Sequence, residues 1–397
     1  MARDDTRQEL LARVEKLSPL IREYADQGER ERHLMDPVVA ALQDAGFFRM
    51  LVPRDLGGLQ VDPLTFYEVI EAVARVDGST AWCMFNSGGL AISAAFLHDD
   101  AADAIHGRDP RSIMSGTLYP PGRAIPSQGG YIVSGRWVYA SGCWHASWHL
   151  GACNVYEPEV NEPRRDQAGI PEIIMAHFPR AQMQIVDTWD VSGLSATGSH
   201  DVMVEDLFVP DTFIWKFVAE TPRGRQFTDP LYRFPLPGFL RWPIGAVALG
   251  IAQAAIDEIT QTSRGKTPRG AATTLREQPL FQSQLSQAVA LVRSARSWLH
   301  EIVTSVWEKT AAGDTASFDD RALFNLAGVN ATRSAFSAVE LAYAAGGGSA
   351  NYRKNPLQRH VRDIHAVTQH IGIAPKQYET SGRMLLGVPP DDRMLLL

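Results

Sequence analysis

SGRWVYASGCWHASWHLGA, residues 134–152, is the stretch on which the reading of the whole chain turns. It follows a Gly129-Gly130 turn, and YIVSGRWVYASG (131–142) alternates apolar and polar residues as a strand does. Aromatics, small hydroxyl residues and two histidines, His145 and His149, then crowd together. A Ser beside a Gly at a strand end, as in Ser141-Gly142, can bring a hydroxyl and a backbone N–H close to a flat cofactor. The plainer alternative is a strand end whose aromatics pack a core.

Working outward, residues 112–218 read as a small β-domain, a barrel or a sandwich. SIMSGTLYPPGRAIP (112–126) carries Pro120, Pro121 and Pro126, which no helix interior tolerates. PEIIMAHF (171–178), MQIVDTW (183–189) and HDVMVEDLFVP (200–210) are short β-runs between Gly, Pro and Ser. Residues 1–111 are helical by pattern: Leu10, Leu11, Val14, Leu17 and Leu20 recur at helical spacing, and Asp36-Pro37 and Asp62-Pro63 open further helices. Residues 219–397 return to helices, Leu280–Thr310, Ser317–Ala345 and Pro356–His370, with the flexible break AGGGSA before the last. The fold class is therefore α+β in the order helices, strands, helices. The missing strand–helix alternation argues against a Rossmann fold.

Composition narrows the function. The 397 residues, 45% hydrophobic and 21% charged, are ordinary for a globular chain of two or three domains. A net charge of -7 with no basic stripe makes nucleic acid a poor partner. Cys83, Cys143 and Cys153 include no CxxC pair, so neither zinc nor a disulfide framework is expected, and no metal site is. No signal core and no run of about 18 apolar residues occurs, so the expected location is cytoplasmic, without a membrane partner. Dinucleotide, P-loop, serine-hydrolase and zinc-protease motifs are absent.

Three constellations remain. The first is Ser141-Gly142 with Tyr139, Trp144, His145, Trp148 and His149. The second is WDVSGLSATGSHDVMVEDLFVP (189–210), where Ser192, Ser195, Thr197 and Ser199 suit the polar edge of a cofactor, although such a loop can be only a turn. The third is RDIHAVTQHIGI (362–373): His365 and His370 point about 140° apart on a helix and so do not chelate one metal. Asp363 beside Arg362 reads as a local ion pair.

LVPRDLGGL (51–59), YIVSGRWVYASG (131–142), LSATGSHDVMVEDLFVP (194–210) and GGGSANYRKNPLQRHVRD (346–363) together resemble the acyl-CoA dehydrogenase fold along essentially the whole chain. That resemblance implies an N-terminal helical domain, a central β-barrel domain and a C-terminal four-helix bundle, usually assembled as a homotetramer. In the dehydrogenases a Glu near the C-terminus removes the α-proton of the thioester; in register, Ile371 stands at that position.

SGRWVYASGCWHASW (134–148) and RDIHAVTQH (362–370) resemble instead the oxygenase branch of the fold, the two-component flavin-dependent monooxygenases. The branch implies a reduced flavin, FADH2 or FMNH2, delivered by a separate NAD(P)H:flavin reductase. It also implies reaction with O2 to a C4a-hydroperoxide, and hydroxylation of a small aromatic or heteroaromatic substrate. By position, Ser141 would meet flavin N5 and C4a, Tyr139 would replace a flavin-contacting Trp, and His370 would lie at the substrate oxygen as an acid–base group. Ser195, Thr197 and Ser199 would face the cofactor, and Arg264 would reach a flavin phosphate, often across a subunit interface. Trp144, His145, Trp148, Phe234 and Phe239 are candidates for an aromatic-lined pocket. Other readings on the same fold are an acyl-CoA dehydrogenase or oxidase with its base displaced to Asp257 or Glu258, an amine or amino-sugar N-oxygenase, and a non-catalytic flavin-binding protein.

Overall fold

The structure is a computed structural model that describes residues 2–166, 169–216, 224, 227–390, 392 and 395. The expected boundary at residue 218 lies outside the described residues. The N-terminal part is helical: α1 (Ala2–Glu31), α2 (Asp36–Asp44), α3 (Pro63–Ala74), α4 (Gly78–Ala91) and the short α5 (Asp99–Ala102). Local chemistry starts these helices where the sequence says. Asp62 accepts from the Thr65 N–H at 3.0 Å with Pro63 in the first turn of α3. Asp77 accepts from the Thr80 N–H at 2.7 Å at the start of α4, and each such cap holds a donor the helix leaves unpaired. Nearly every residue of α4 is buried, because it runs between the other helices and the sheet.

The strands are β1 (Met114–Ser127), β2 (Gly130–Trp137), β3 (Trp148–Val155), β4 (Ile173–Pro179), β5 (Gln184–Val186), β6 (Asp201–Pro210) and β7 (Ile214–Lys216). They make one seven-stranded mixed sheet in the order β5-β6-β2-β1-β3-β4-β7, with β1 and β3 parallel and every other pair antiparallel. The barrel expectation thus takes the form of a single sheet, curled enough for β4 to approach β6 around its own core of Val133, Trp137, Cys153, Phe178 and Val202. β1 is a central strand despite its prolines. Its register with β3 breaks between Thr117 and Gly122, which is where Pro120 and Pro121, lacking N–H donors, sit. β2 ends at Trp137, sooner than the alternation suggests. Tyr139 takes φ +60°, and the backbone turns there, so YASG is a corner and not a strand end.

The C-terminal part comprises α6 (Pro237–Leu240), α7 (Ile244–Ser263), α8 (Pro279–Ala312), α9 (Phe318–Gly346), α10 (Pro356–Thr368) and α11 (Lys376–Leu385), with α7 to α10 forming the four-helix bundle. Small residues let α7 come close to its neighbours. A Cβ on Gly250 would overlap the Glu71 carbonyl of α3, and Gly245 lies against Gly328 of α9. The stretch Pro237–Ser263 is long and apolar enough by composition to cross a membrane, but 89% of its 18-residue apolar window is buried inside the protein, as befits a core helix.

Where the helical domain meets the sheet, three histidines are buried: His106, His149 on β3 and His177 on β4. His149 Nδ1 lies 2.9 Å from Ser115 Oγ and His177 Nε2 3.1 Å from Ser93 Oγ. Burial pushes their pKa values down from 6.5 to about 3, about 3 and about 4. A histidine depressed in this way binds fewer protons folded than unfolded. Its stabilising contribution is complete above pH 6.5 and is lost as pH falls toward the folded value. The urea midpoint is therefore expected to fall steadily between pH 6.5 and 4, each histidine removing up to about 1.4 kcal/mol per pH unit. His149→Gln should flatten that slope.

Candidate active site

The corner after β2 and the loop before β6 are tied together backbone to backbone. The Ala140 N–H donates to the His200 carbonyl at 3.0 Å and the Gly142 N–H to the Thr197 carbonyl at 2.8 Å. This brings three buried hydroxyls into a row. Ser141 Oγ is 2.8 Å from Ser199 Oγ, which is 2.7 Å from Thr197 Oγ1, and Thr197 Oγ1 donates to the Leu194 carbonyl at 2.8 Å. At the other end of the row, the indole N–H of Trp82 on α4 donates to Ser141 Oγ at 3.0 Å.

Leu194 anchors the row. It holds the left-handed conformation at φ +52°, uncommon for a residue with a branched side chain. Its N–H donates to Asp363 Oδ1 on α10 at 2.6 Å, and its carbonyl also accepts from Trp189 Nε1 at 3.2 Å. Gly193 lets α10 come that near, since a Cβ there would overlap the Arg362 carbonyl. Asp363 is thus no local partner of Arg362, as the sequence reading had it. Arg362 pairs with Glu29 of α1 and donates to the Ser192 carbonyl. Burial, with the Asp77 charge nearby, pushes the Asp363 carboxyl up to about 7 against the pull of the Leu194 N–H, Arg359 and Arg362.

The same helix delivers His370 one residue past its C-cap. The ring packs edge-on against Trp82, centroids 5.8 Å apart. Trp82 therefore touches both Ser141 and His370, two residues far apart in sequence. His370 Nδ1 accepts from the Gly372 N–H at 3.0 Å, so in the neutral ring the proton sits on Nε2. Burial, reinforced by Arg241, pushes its pKa down to about 4. At neutral pH the residue is an uncharged hydrogen-bond donor at Nε2, whereas the sequence reading gave it acid–base work near its ordinary pKa.

The other expected residues are distributed more widely. Tyr139 is 69% exposed beside Ser141 and meets Trp189 edge-on. Ser195 spends its hydroxyl on the Val191 carbonyl at 2.9 Å. Trp144 and His145 lie against His33, in the turn between α1 and α2, and Trp144 also against His200. Burial lowers the His145 pKa to about 4, and among the described residues its Nε2 has no hydrogen-bond partner. Trp148 stacks on Phe213, and Phe234 and Phe239 pack with each other and with Phe66 and Phe324 in the helical core. The aromatic candidates are therefore not gathered into one pocket. Arg264 caps α7 and lines, with Asp257, Arg359 and Asp363, a groove of about 1020 Å³ between α1, the α3–α4 turn, α7 and α10. Asp257 is held by Arg75 at 2.6 Å and by Gln253 at 3.1 Å. Sequence reasoning missed Trp82, hidden in the apolar run 80–97, and the tie of Asp363 to Leu194. Among the described residues no cluster of side chains could hold a metal ion.

Comparison with known proteins agrees with this architecture. Family models of the acyl-CoA dehydrogenase N-terminal and C-terminal domains match residues 4–99 and 243–375. An indole-3-acetate monooxygenase of Pseudomonas putida is 34% identical over 93% of this chain and 92% of its own. The flavin-dependent monooxygenase oxygenase subunit HsaA of Mycobacterium tuberculosis is 32% identical over 98% of both chains. The crystal structure of the 3-HSA hydroxylase from Rhodococcus sp. RHA1 superposes with a TM-score of 0.89 at 30% identity, covering 97% of this chain and 99% of that one. The chain belongs to the acyl-CoA dehydrogenase family. Within that family it is a flavin-dependent monooxygenase, an oxidoreductase.

The contact at Gly193 gives a first test of the site. Gly193→Ala should force α10 away from the loop, lower stability by about 2 kcal/mol in chemical denaturation and weaken flavin binding. Gly348→Ala, where a Cβ meets open space, should change neither.

Proposed function

We propose that this chain is the oxygenase component of a two-component system that hydroxylates a small aromatic or heteroaromatic compound, of phenol or indole type. The reduced flavin comes from a separate NAD(P)H-dependent reductase, and the working form is a cytoplasmic homotetramer. The observation that carries the reading is Trp82, whose indole hydrogen-bonds Ser141 and packs on His370, so that the two expected catalytic groups share one wall. The residues present suit a flavin ring. Ser141 offers a buried oxygen, Tyr139 exposes an aromatic face beside it, and Ser199 and Thr197 hold the Ser141 hydroxyl from behind. When bound, reduced flavin would supply the activation of dioxygen.

The protein's own part is to hold and to position. Ser141 fixes a hydrogen bond at the flavin edge, and the buried surroundings of α4 keep water from it. His370, neutral with its proton on Nε2, donates to an oxygen of the substrate or of the oxygen being transferred and steadies charge that develops there. The relatives named as oxygenase subunit and as indole-3-acetate monooxygenase support this chemistry. The dehydrogenase alternative finds less support, since its candidate base Asp257 is engaged by Arg75.

Stopped-flow mixing of the protein, reduced FMN or FAD and oxygen is expected to show the absorbance of a C4a-hydroperoxide; plain reoxidation with every candidate aromatic unreacted would overturn the proposal. Ser141→Ala should shorten the life of that species by at least ~10-fold. His370→Ala should cut product formation by ~100-fold, and His370→Gln, which keeps a donor, should recover part of it. Because His370 titrates at about 4, product formation should show no His370 step between pH 6 and 8 and should decline only as pH approaches 4.

A further inference from the structure

The hydroxyl row has a direction, and that direction has a chemical use. Each hydroxyl has one proton to give and two lone pairs to receive with. The row ends on the Leu194 carbonyl, which can only accept, so Thr197 must donate to it. Ser199 must then donate to Thr197, and Ser141 to Ser199. Trp82 N–H occupies one lone pair of Ser141, leaving its second lone pair as all that Ser141 can present to a ligand.

The geometry points to Thr197 as a positioning residue that makes this site select reduced over oxidised flavin. The inference rests on the reading above that Ser141 faces flavin N5. Reduced flavin carries a proton on N5 and can donate to the waiting lone pair. Oxidised flavin has a bare N5 and needs Ser141 to donate. Turning the Ser141 proton outward makes Ser199 donate to Ser141. With Thr197 already committed to Leu194, the 2.7 Å contact between Ser199 and Thr197 would then hold two lone pairs and no proton. Turning the Thr197 proton to Ser199 only moves the defect, because Thr197 Oγ1 would then face the Leu194 carbonyl at 2.8 Å with no proton between them, and Leu194 is itself held in place through its N–H by buried Asp363. Thr197 touches neither flavin nor substrate in this scheme; it acts by fixing which way Ser141 points.

The test is an anaerobic equilibrium titration of the full-length protein with FMN and FAD, each oxidised or dithionite-reduced, read by flavin absorbance and fluorescence. Thr197→Val removes the hydroxyl at nearly constant volume and frees Ser199 to turn. The ratio of the Kd for oxidised flavin to that for reduced flavin should fall by about 10-fold, chiefly through tighter binding of the oxidised form. Thr197→Ser should keep the wild-type ratio, which a merely structural role for the threonine would not require. Ser199→Ala should lower the ratio in the same way and decides the matter should Thr197→Val fail to fold. An unchanged ratio in Thr197→Val or in Ser199→Ala, with Ser141→Ala weakening reduced flavin, overturns the role of Thr197 while leaving the flavin site standing. If Ser141→Ala leaves both flavin affinities untouched, Ser141 does not face N5 and both readings fall.

Discussion

The backbone of one residue holds the three parts of this protein in register. The Leu194 N–H is bound by a carboxyl of the C-terminal bundle, and its carbonyl ends a hydroxyl row that runs through the sheet corner to a tryptophan of the N-terminal domain. The backbone there is left-handed, a conformation costing about 1 kcal/mol or more for such a residue, and it persists because partners on every side fix it. Asp363 is nearly fully buried to make its bond, a placement that would be costly without a strong donor. His370 rides on the same helix, so the distance between Ser141 and His370 is set by rigid elements and not by a mobile loop.

Much of the fold was legible because its signals are local. The helix starts at Asp36-Pro37 and Asp62-Pro63, the long amphipathic runs of α8 and α9, and the change of period at residue 112 each depend on a few neighbouring residues. What local pattern could not show was the corner at Tyr139. The residues 131–142 alternate like one strand, and only the positive φ at Tyr139, made tolerable by bonds to the distant loop 197–200, ends it. Proline-rich β1 misled in the opposite sense, since its central position depends on a bulge opposite β3.

The site was legible in part for the same reason. Ser141, Thr197, Ser199 and His370 were marked by family-like motifs, but the bond from Ser141 to Ser199 spans 58 residues of chain, and His370 meets Ser141 only through Trp82. Trp82 carried no mark, being one aromatic in an apolar helix where packing alone would explain it. The tautomer of His370 depends on a backbone N–H two residues on, visible only once the chain turns after α10. The aromatics Trp144 and Trp148 drew attention by density, yet their rings serve the seams around the sheet.

The composition of α7 bears on how the chain is made as well as on how it is packed. This helix is covered on one side by α3, already synthesised when it emerges, and on the other by α9, which follows only after the whole of α8. For that interval a segment with the composition of a membrane span stands half bare. Fragments that stop before residue 318 should therefore aggregate or partition into membranes when expressed, and the full chain should not. Domain order along the chain thus becomes a matter of timing, with the N-terminal helices acting as a provisional cover for the most apolar helix of the bundle.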